Sequence, residues 1–196
     1  MLGISDYPAF AGAVIVFLAI PGPGNLALLT ATAQGGQKGG ISATWGVIAG
    51  DQVLMWAAVA GLAAVLQASA TWFHALQWAG ALYLGYLGIQ MIRAKPEDAP
   101  LLDMSSGRYF RQTFFITLLN PKAIVFYMAF FPMFIDPKQH QGWVTFGAMA
   151  LTIAALTFLY GLVLVVLAHR LAARIQAQPW MSRVLNKIAG SLLIAF

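Results

Sequence analysis

Three long stretches of this sequence contain no Asp, Glu, Lys or Arg. They lie between Asp6 and Lys38, between Asp51 and Arg93, and between Lys138 and Arg170. Each is longer than the roughly 20 residues that an α-helix needs to cross a hydrocarbon core about 30 Å thick, and the middle stretch can hold two crossings. With 60% hydrophobic and only 9% charged residues, the chain also has too little polar surface for a water-soluble globule. The sequence therefore predicts an all-α membrane protein embedded in a lipid bilayer.

Hydropathy, with Gly, Pro and charged residues taken as boundaries, predicts six transmembrane helices. They run from about Tyr7 to Leu29, Gly40 to Leu66, Trp72 to Ile92, Arg111 to Ile135, Trp143 to His169 and Met181 to Phe196. The last helix is short because Lys187 interrupts it, so whether it crosses the membrane fully stays open. The hydrophilic segment 93–110 is predicted to be a cytoplasmic linker between two three-helix repeats, residues 1–92 and residues 111–196.

The basic residues predict how the chain is oriented. Lys and Arg occur mainly on the first, third and fifth connections, at Lys38, Arg93, Lys95, Arg108, Arg111, Arg170, Arg174 and Arg183, and the opposite side has only Lys138. Because connections rich in Lys and Arg stay in the cytoplasm, the N-terminus is predicted to lie outside. The first apolar stretch has no basic segment before it, so it is predicted to be a retained span rather than a signal peptide.

Two of the predicted helices contain residues that interrupt a helix. The first span contains Pro21, Gly22, Pro23, Gly24 and Asn25, and the fourth contains Asn120, Pro121 and Lys122. Proline removes a backbone donor, and irregular backbone inside a membrane is tolerated only when it is buried in protein or lines a wet cavity. The two interruptions occupy the first helix of each three-helix repeat, and an odd number of helices per repeat makes the repeats inverted. Broken helices at equivalent positions of inverted repeats indicate the substrate site of a secondary transporter. Because Pro and Gly are common in membrane helices, a purely structural origin stays open.

Asp51 and Lys122 are the charged residues predicted deepest in the membrane. Each lies about eleven residues, or about 16 Å, into its span. Insertion of either charge at a helix centre costs about 2.5 to 3.5 kcal/mol, so both side chains should face the protein interior and each could be the other's partner. A buried ion pair can also be purely structural with little net stabilisation, and that alternative stays open.

The composition excludes several classes of protein. The chain has no cysteine, which excludes disulfides, thiolate metal sites and thiol redox chemistry. An intramembrane aspartyl protease needs a second membrane carboxylate, which is absent. The three histidines are scattered and form no metal cluster, and the dispersed basic residues do not predict nucleic-acid binding. We therefore expect no enzyme activity, no cofactor and no metal.

Four sequence motifs resemble those of one known family. They are PGPGN at residues 21–25, GVIAGD ending at Asp51, AGALYLGYLG at residues 79–88 and LLNPKAIVFY at residues 118–127. Together they resemble the lysine-exporter (LysE/RhtB) family of bacterial amino-acid exporters. This resemblance implies proton-driven efflux of an amino acid or a close derivative across the cytoplasmic (inner) membrane. The residues that follow Asp51 are similar to those of leucine-type exporters, which implies a neutral substrate.

The resemblance suggests roles for the charged residues at the helix breaks. Asp51 would be the proton-linked group, Lys122 would hold it ionised and pair with the substrate carboxylate, and backbone amides at the breaks would bind the substrate's charged ends. Phe126, Tyr127, Phe130 and Phe131 are expected to line the cavity. Export of a cation or another small solute and a passive amino-acid channel remain alternatives. The small-residue pair Gly46 and Gly50 is typical of close helix packing, and both a monomer and a homodimer are compatible with it.

Overall fold

The computed structural model describes residues 3–68, 78, 82, 89, 104–105, 107–135 and 142–175. This part of the chain contains five α-helices: α1 (Tyr7–Ala19), α2 (Pro23–Ala68), α3 (Tyr109–Leu118), α4 (Pro121–Val125) and α5 (Trp143–Ile175). A π-helical turn (Phe126–Phe130) and a 3-10 turn (Phe131–Phe134) follow α4. The predicted all-helical class is confirmed for these residues. The sixth predicted span, all of the third except residues 78, 82 and 89, and most of the linker 93–110 lie outside the described residues, so the six-helix arrangement stays a prediction.

The first helix break lies slightly earlier in the sequence than predicted. The Asp6 carboxylate caps α1 by accepting a hydrogen bond from the backbone N–H of Ala9 at 3.0 Å. The helix ends at Ala19 because a residue before proline, here Ile20, disfavours helical dihedrals. After a bend of 60°, α2 begins at Pro23. The break therefore comprises residues 20–22, and Pro23, Gly24 and Asn25 already belong to the next helix, because proline is well suited to a first helical position.

Helix α2 is two helical arms joined at Gly36. This glycine has φ 61° and ψ −156°, a backbone conformation that residues other than glycine rarely adopt. A Cβ atom at Gly39 would meet the backbone oxygen of Ala31. Residues eight apart in a straight helix are about 12 Å apart, so the chain reverses at Gly36. We name residues 23–35 α2a and residues 37–68 α2b. The first predicted span thus continues beyond Leu29 to this turn.

The second break separates α3 from α4. Asn120 caps α4, and its side-chain oxygen accepts a hydrogen bond from the backbone N–H of Lys122 at 3.1 Å. Pro121 occupies the first helical position, where its missing N–H costs nothing. Beyond Val125 the predicted regular helix is replaced by the π-helical and 3-10 turns, in a region where Pro132 has no N–H to continue the hydrogen-bond ladder.

The small residues of α2b pack it closely against α3. A Cβ atom at Gly46 would meet the backbone oxygen of Phe110, and one at Gly50 would lie 2.8 Å from the Cβ atom of Thr117. Residues later in α2b contact residues later in α3, so the two helices are parallel. The Gly46 and Gly50 face is therefore used for packing within the chain.

Helix α5 lies antiparallel to α2b. Gly161 of α5 packs against Thr44, and the side-chain amide of Gln52 donates a hydrogen bond to the backbone oxygen of Ala150 at 3.0 Å. Residues later in α2b therefore contact residues earlier in α5. This packing leaves the buried face of α2b, which carries Asp51, directed towards α3 and the helix breaks.

The two broken elements lie side by side in opposite directions. The rings of Phe17 in α1 and Phe126 after α4 are stacked with centroids 4.0 Å apart, and those of Phe10 and Phe134 are 5.5 Å apart. On the other side of the break, α2a runs antiparallel to α3, because Gly24 faces Thr117 and Gly35 faces Tyr109. Each half of one broken element therefore pairs with a half of the other, and the two breaks come to the same level.

The outer surface of the described helices is strongly apolar. On α5, Leu151, Leu159 and Val163 are 73%, 58% and 56% exposed, and Trp45 on α2b is 51% exposed. The stretch Trp143–Ala168 is long and apolar enough to cross a membrane by itself, and α1 together with the helical residues 23–61 also meets this length and composition test as a pair bent at the first break. Water-soluble proteins rarely expose such continuous apolar faces, so this surface suits lipid.

The exposed basic residues of the described helices gather at one end. Lys38 follows the Gly36 turn, and Arg108 and Arg111 flank the start of α3, which packs against that turn through Tyr109. Arg170 lies just beyond Val165, which packs against Gly40 near the same turn. We call this the basic end. Asp6, at the start of α1, lies at the opposite end.

Candidate functional site

A small cavity of about 30 Å³ lies between the two helix breaks. Its wall combines the end of α1, the start of α2a, the middle of α2b and the α3–α4 break. The lining residues are Phe17, Leu18, Gly24, Asn25, Val47, Asp51, Thr117, Asn120, Lys122 and Ala123. Two chain segments about 95 residues apart in sequence thus contribute to one polar space inside an apolar bundle.

Five of the residues predicted to form the site line this cavity together: Gly24, Asn25, Asp51, Asn120 and Lys122. Gly22 lies beside them, because a Cβ atom at Gly22 would be 3.4 Å from the Lys122 Nζ atom. The prolines Pro21, Pro23 and Pro121 are not among the residues that line it. They determine instead where the helices stop and start, because a proline lacks the N–H that an interior helical position requires.

Asp51 is a buried acid with one oxygen still available. Its side chain is 2% exposed, and its Oδ2 atom has no hydrogen-bond partner in the described part of the chain. The hydroxyl of Tyr127 donates a hydrogen bond to the carboxylate, and the ammonium group of Lys122 interacts with it electrostatically. The Thr157 hydroxyl also faces the carboxylate. A carboxylate held this way can take up a proton or a ligand donor at Oδ2 without first losing a partner.

Lys122 connects the second break to the end of α1. Its ammonium group donates hydrogen bonds to the backbone oxygens of Phe17 at 3.1 Å and Ile20 at 2.8 Å. It also lies 4.5 Å from the centre of the Phe17 ring, a cation–π distance. The predicted partnership with Asp51 is therefore an electrostatic one, and the hydrogen bonds of Lys122 are made to the last carbonyl groups of α1.

Asn25 stabilises the same helix end from the other side. Its side-chain amide lies within donor distance of the backbone oxygens of Leu18, at 2.9 Å, and Ile20, at 3.1 Å, and of the Tyr160 hydroxyl, at 3.2 Å. The last carbonyl groups of a helix have no partner within it. Asn25 and Lys122 supply those partners, which explains how α1 can end inside an apolar bundle.

Sequence reasoning missed some of the wall and misplaced the aromatic residues. Thr117 lines the cavity and has a buried hydroxyl without a hydrogen-bond partner among the described residues. Thr113 and Thr117 are four residues apart and therefore lie on one face of an apolar helix, and this polar pair could have indicated the cavity wall. Phe126 and Tyr127 belong to the core against Phe17 rather than to the wall, which corrects that expectation. The side chains of Phe130 and Phe131 lie outside the described residues.

The size and polarity of the cavity define what it can hold. About 30 Å³ accommodates one or two water molecules, so the site is too small for an amino acid in this conformation. The wall offers a carboxylate, an ammonium group, the carbonyl end of α1 and the amide end of α2a. These groups are suited to a small solute that carries both charges. No cluster of three or more His, Cys, Asp or Glu residues that could hold a metal occurs in the described part.

Fold and site together define a helical membrane protein with a polar site between two broken helices. Residues 15–196 match the family model of the LysE type translocator. The chain therefore belongs to the LysE type translocator family, and it is a multi-pass membrane translocator and not an enzyme.

Curated relatives cover nearly the whole chain. The chain is 31% identical over 198 residues to the leucine efflux protein of Salmonella typhimurium, spanning 99% of this chain and 93% of the relative. It is 32% identical over 203 residues to an uncharacterised membrane protein of Pseudomonas aeruginosa, spanning 100% of this chain and 94% of the relative. No solved structure gives a significant match.

Proposed function

We propose that this chain exports a neutral amino acid or a close derivative from the bacterial cytoplasm, driven by the proton gradient across the inner membrane. The observation that carries the proposal is the buried carboxylate of Asp51 beside the cavity at the two helix breaks, with an oxygen that has no hydrogen-bond partner among the described residues. A membrane-buried acid is costly to maintain, so it is usually retained for ion coupling or substrate binding. The leucine efflux name of the Salmonella relatives supports an amino acid as cargo.

In this proposal the cavity residues divide into coupling and binding groups. Asp51 carries the proton inward, and Lys122 favours its ionised form and faces the substrate carboxylate. The first amides of α2a, at Gly24 and Asn25, have no acceptor within the helix, and a helix N-terminus attracts anions. Asn120 fixes the start of α4 and keeps Lys122 directed into the cavity. The prolines Pro21, Pro23 and Pro121 act indirectly, because they hold the backbone open at the site.

The antiparallel pairing of the two broken elements supports the proposed inverted repeats, residues 1–92 and 111–196. Helices α2b and α5, which would be the second helix of each repeat, are also antiparallel. The basic end supports an orientation in which Lys38, Arg108, Arg111 and Arg170 face the cytoplasm and the N-terminus lies outside. Transport would then require the helices around the small cavity to separate alternately towards each side.

The proposal predicts which solutes the purified protein exchanges. Proteoliposomes that contain the protein and are preloaded with unlabelled amino acid should take up the same radiolabelled amino acid by counterflow. We expect leucine, methionine and other neutral aliphatic amino acids to exchange at least about tenfold faster than lysine, because the cavity already contains the Lys122 ammonium group and a second cation beside it would be repelled. Faster exchange of lysine than of all neutral amino acids would contradict the neutral-substrate proposal.

A further inference from the structure

The ammonium group of Lys122 occupies a built cation site at the end of α1. Its two acceptors, the backbone oxygens of Phe17 and Ile20, lie 3.1 and 2.8 Å away, and the Phe17 ring centre lies 4.5 Å away. The C-terminal end of a helix carries partial negative charge, which favours a cation. Carbonyl oxygens at a helix end together with an aromatic face are the groups that would recognise a free ammonium ion on a small molecule.

Another part of the wall of the same cavity has the complementary character. Gly24 and Asn25 lie in the first turn of α2a, where backbone N–H groups have no acceptor within the helix. The hydroxyl of Thr117 near Gly24 is buried and has no hydrogen-bond partner among the described residues. The cavity thus has a cation end, filled by the chain's own lysine, and an anion end at which no described side chain accepts a hydrogen bond from the helix amides.

We propose that Lys122 is a tethered stand-in for the α-ammonium group of the substrate, and that an entering amino acid displaces it from the Phe17 and Ile20 carbonyls. This inference rests on the proposed function, because it assumes that the solute is an amino acid. The substrate's ammonium group takes the place of Nζ at the end of α1. The displaced Lys122 then faces the substrate carboxylate beside Gly24 and Asn25. The small cavity of about 30 Å³ corresponds to the state in which Lys122 fills the site.

The displacement makes the site selective for zwitterions. A zwitterion supplies a positive group for the α1 carbonyls and a negative group for the displaced Lys122, so no charge is left unbalanced. An amine without a carboxylate would place two ammonium groups side by side, which is strongly unfavourable in a desolvated site. A carboxylate without an amine has no ammonium group to replace Lys122 at the α1 carbonyls.

Replacing Lys122 should therefore change which charge pattern the protein accepts. The probes are leucine, its decarboxylated analogue 3-methylbutylamine and its deaminated analogue 4-methylpentanoate. Binding is measured from the ligand-dependent rise in the unfolding temperature of the purified full chain in detergent. For the wild-type chain we expect a response to leucine alone. For Lys122→Met, which removes the ammonium group from the Phe17 and Ile20 carbonyls, we expect the apparent affinity for 3-methylbutylamine to rise at least about tenfold above that of the wild type.

Two further variants keep the result interpretable. Asp51→Asn/Lys122→Met removes both charges of the site, so it preserves the charge balance if Lys122→Met alone folds poorly, and it should bind the amine in the same way. Lys38→Met removes an exposed lysine and should respond like the wild type. An unchanged amine affinity in both Lys122 variants would overturn the displacement. The leucine response of the wild type reports separately on the proposed function, so failure of one can be told from failure of the other.

Discussion

Asp51→Asn should abolish accumulation against a gradient while leaving exchange intact. One positive charge moving through about 150 mV releases about 3.5 kcal/mol, which sustains a concentration ratio of about 300. Asparagine fills the same volume but cannot carry a proton, so this ratio should fall to about one. Counterflow needs no net proton movement and should continue. The measurement is amino-acid efflux, and separately counterflow, in proteoliposomes with an imposed pH gradient and membrane potential.

The matched control for this prediction is Asp6→Asn. Asp6 is an exposed acid that caps α1, and asparagine caps a helix about as well as aspartate. Coupled transport by this variant should equal that of the wild type. If Asp51→Asn kept its proton-driven gradient, the coupling role of Asp51 would be wrong, whatever the cargo.

The second large effect is expected in stability. Removing one member of a buried charge pair typically costs about 3 to 5 kcal/mol, because the other charge stays buried without compensation. Lys122→Met leaves the Asp51 carboxylate with the Tyr127 hydroxyl but without the cation that faces it in the described part of the chain. Asp51→Asn should cost less, because Lys122 keeps its hydrogen bonds to the Phe17 and Ile20 carbonyls. The double variant should be more stable than the sum of the two single effects predicts.

The measurement for this prediction is a double-mutant cycle on the unfolding temperature and on the unfolding free energy in detergent. We expect a coupling of about 1 to 3 kcal/mol between the two sites. A matched cycle between Asp51→Asn and Lys38→Met pairs the same acid with a distant exposed lysine and should give additive effects. Additive effects in the Asp51 and Lys122 cycle as well would mean that the two charges do not act as a pair.

Several features of the fold follow directly from the residue pattern. The helix breaks at Pro21–Gly22 and Asn120–Pro121 were predictable because proline has local consequences for the residue before it and for the helix that starts with it. The inward placement of Asp51 and Lys122 was predictable because a lone charge in an apolar span must face the protein interior. The basic end follows from the positions of Lys38, Arg108 and Arg170 on alternate connections.

Other features depend on which groups meet in three dimensions. The acceptors of Lys122 are backbone oxygens of Phe17 and Ile20, and backbone oxygens carry no signature in a sequence. The sequence also did not show whether Phe126 would line the cavity or pack in the core. In the structure it stacks on Phe17 in the core, and smaller residues such as Thr117 and Ala123 line the cavity. A turn at Gly36 rather than nearer Leu29 depends on how α2a packs back onto α2b.

During transport, water and substrate should reach the space between the two breaks. Because the chain contains no cysteine, Thr117→Cys places a single thiol in the cavity wall, and Ala155→Cys places one on the exposed, lipid-facing side of α5. Thiols react as thiolates, which do not form in hydrocarbon. We predict that a charged methanethiosulfonate reagent modifies Thr117→Cys but not Ala155→Cys in membranes, and that the transported amino acid slows this modification. If Thr117→Cys stayed unmodified, or if no amino acid protected it, the transport pathway would not pass between the two breaks.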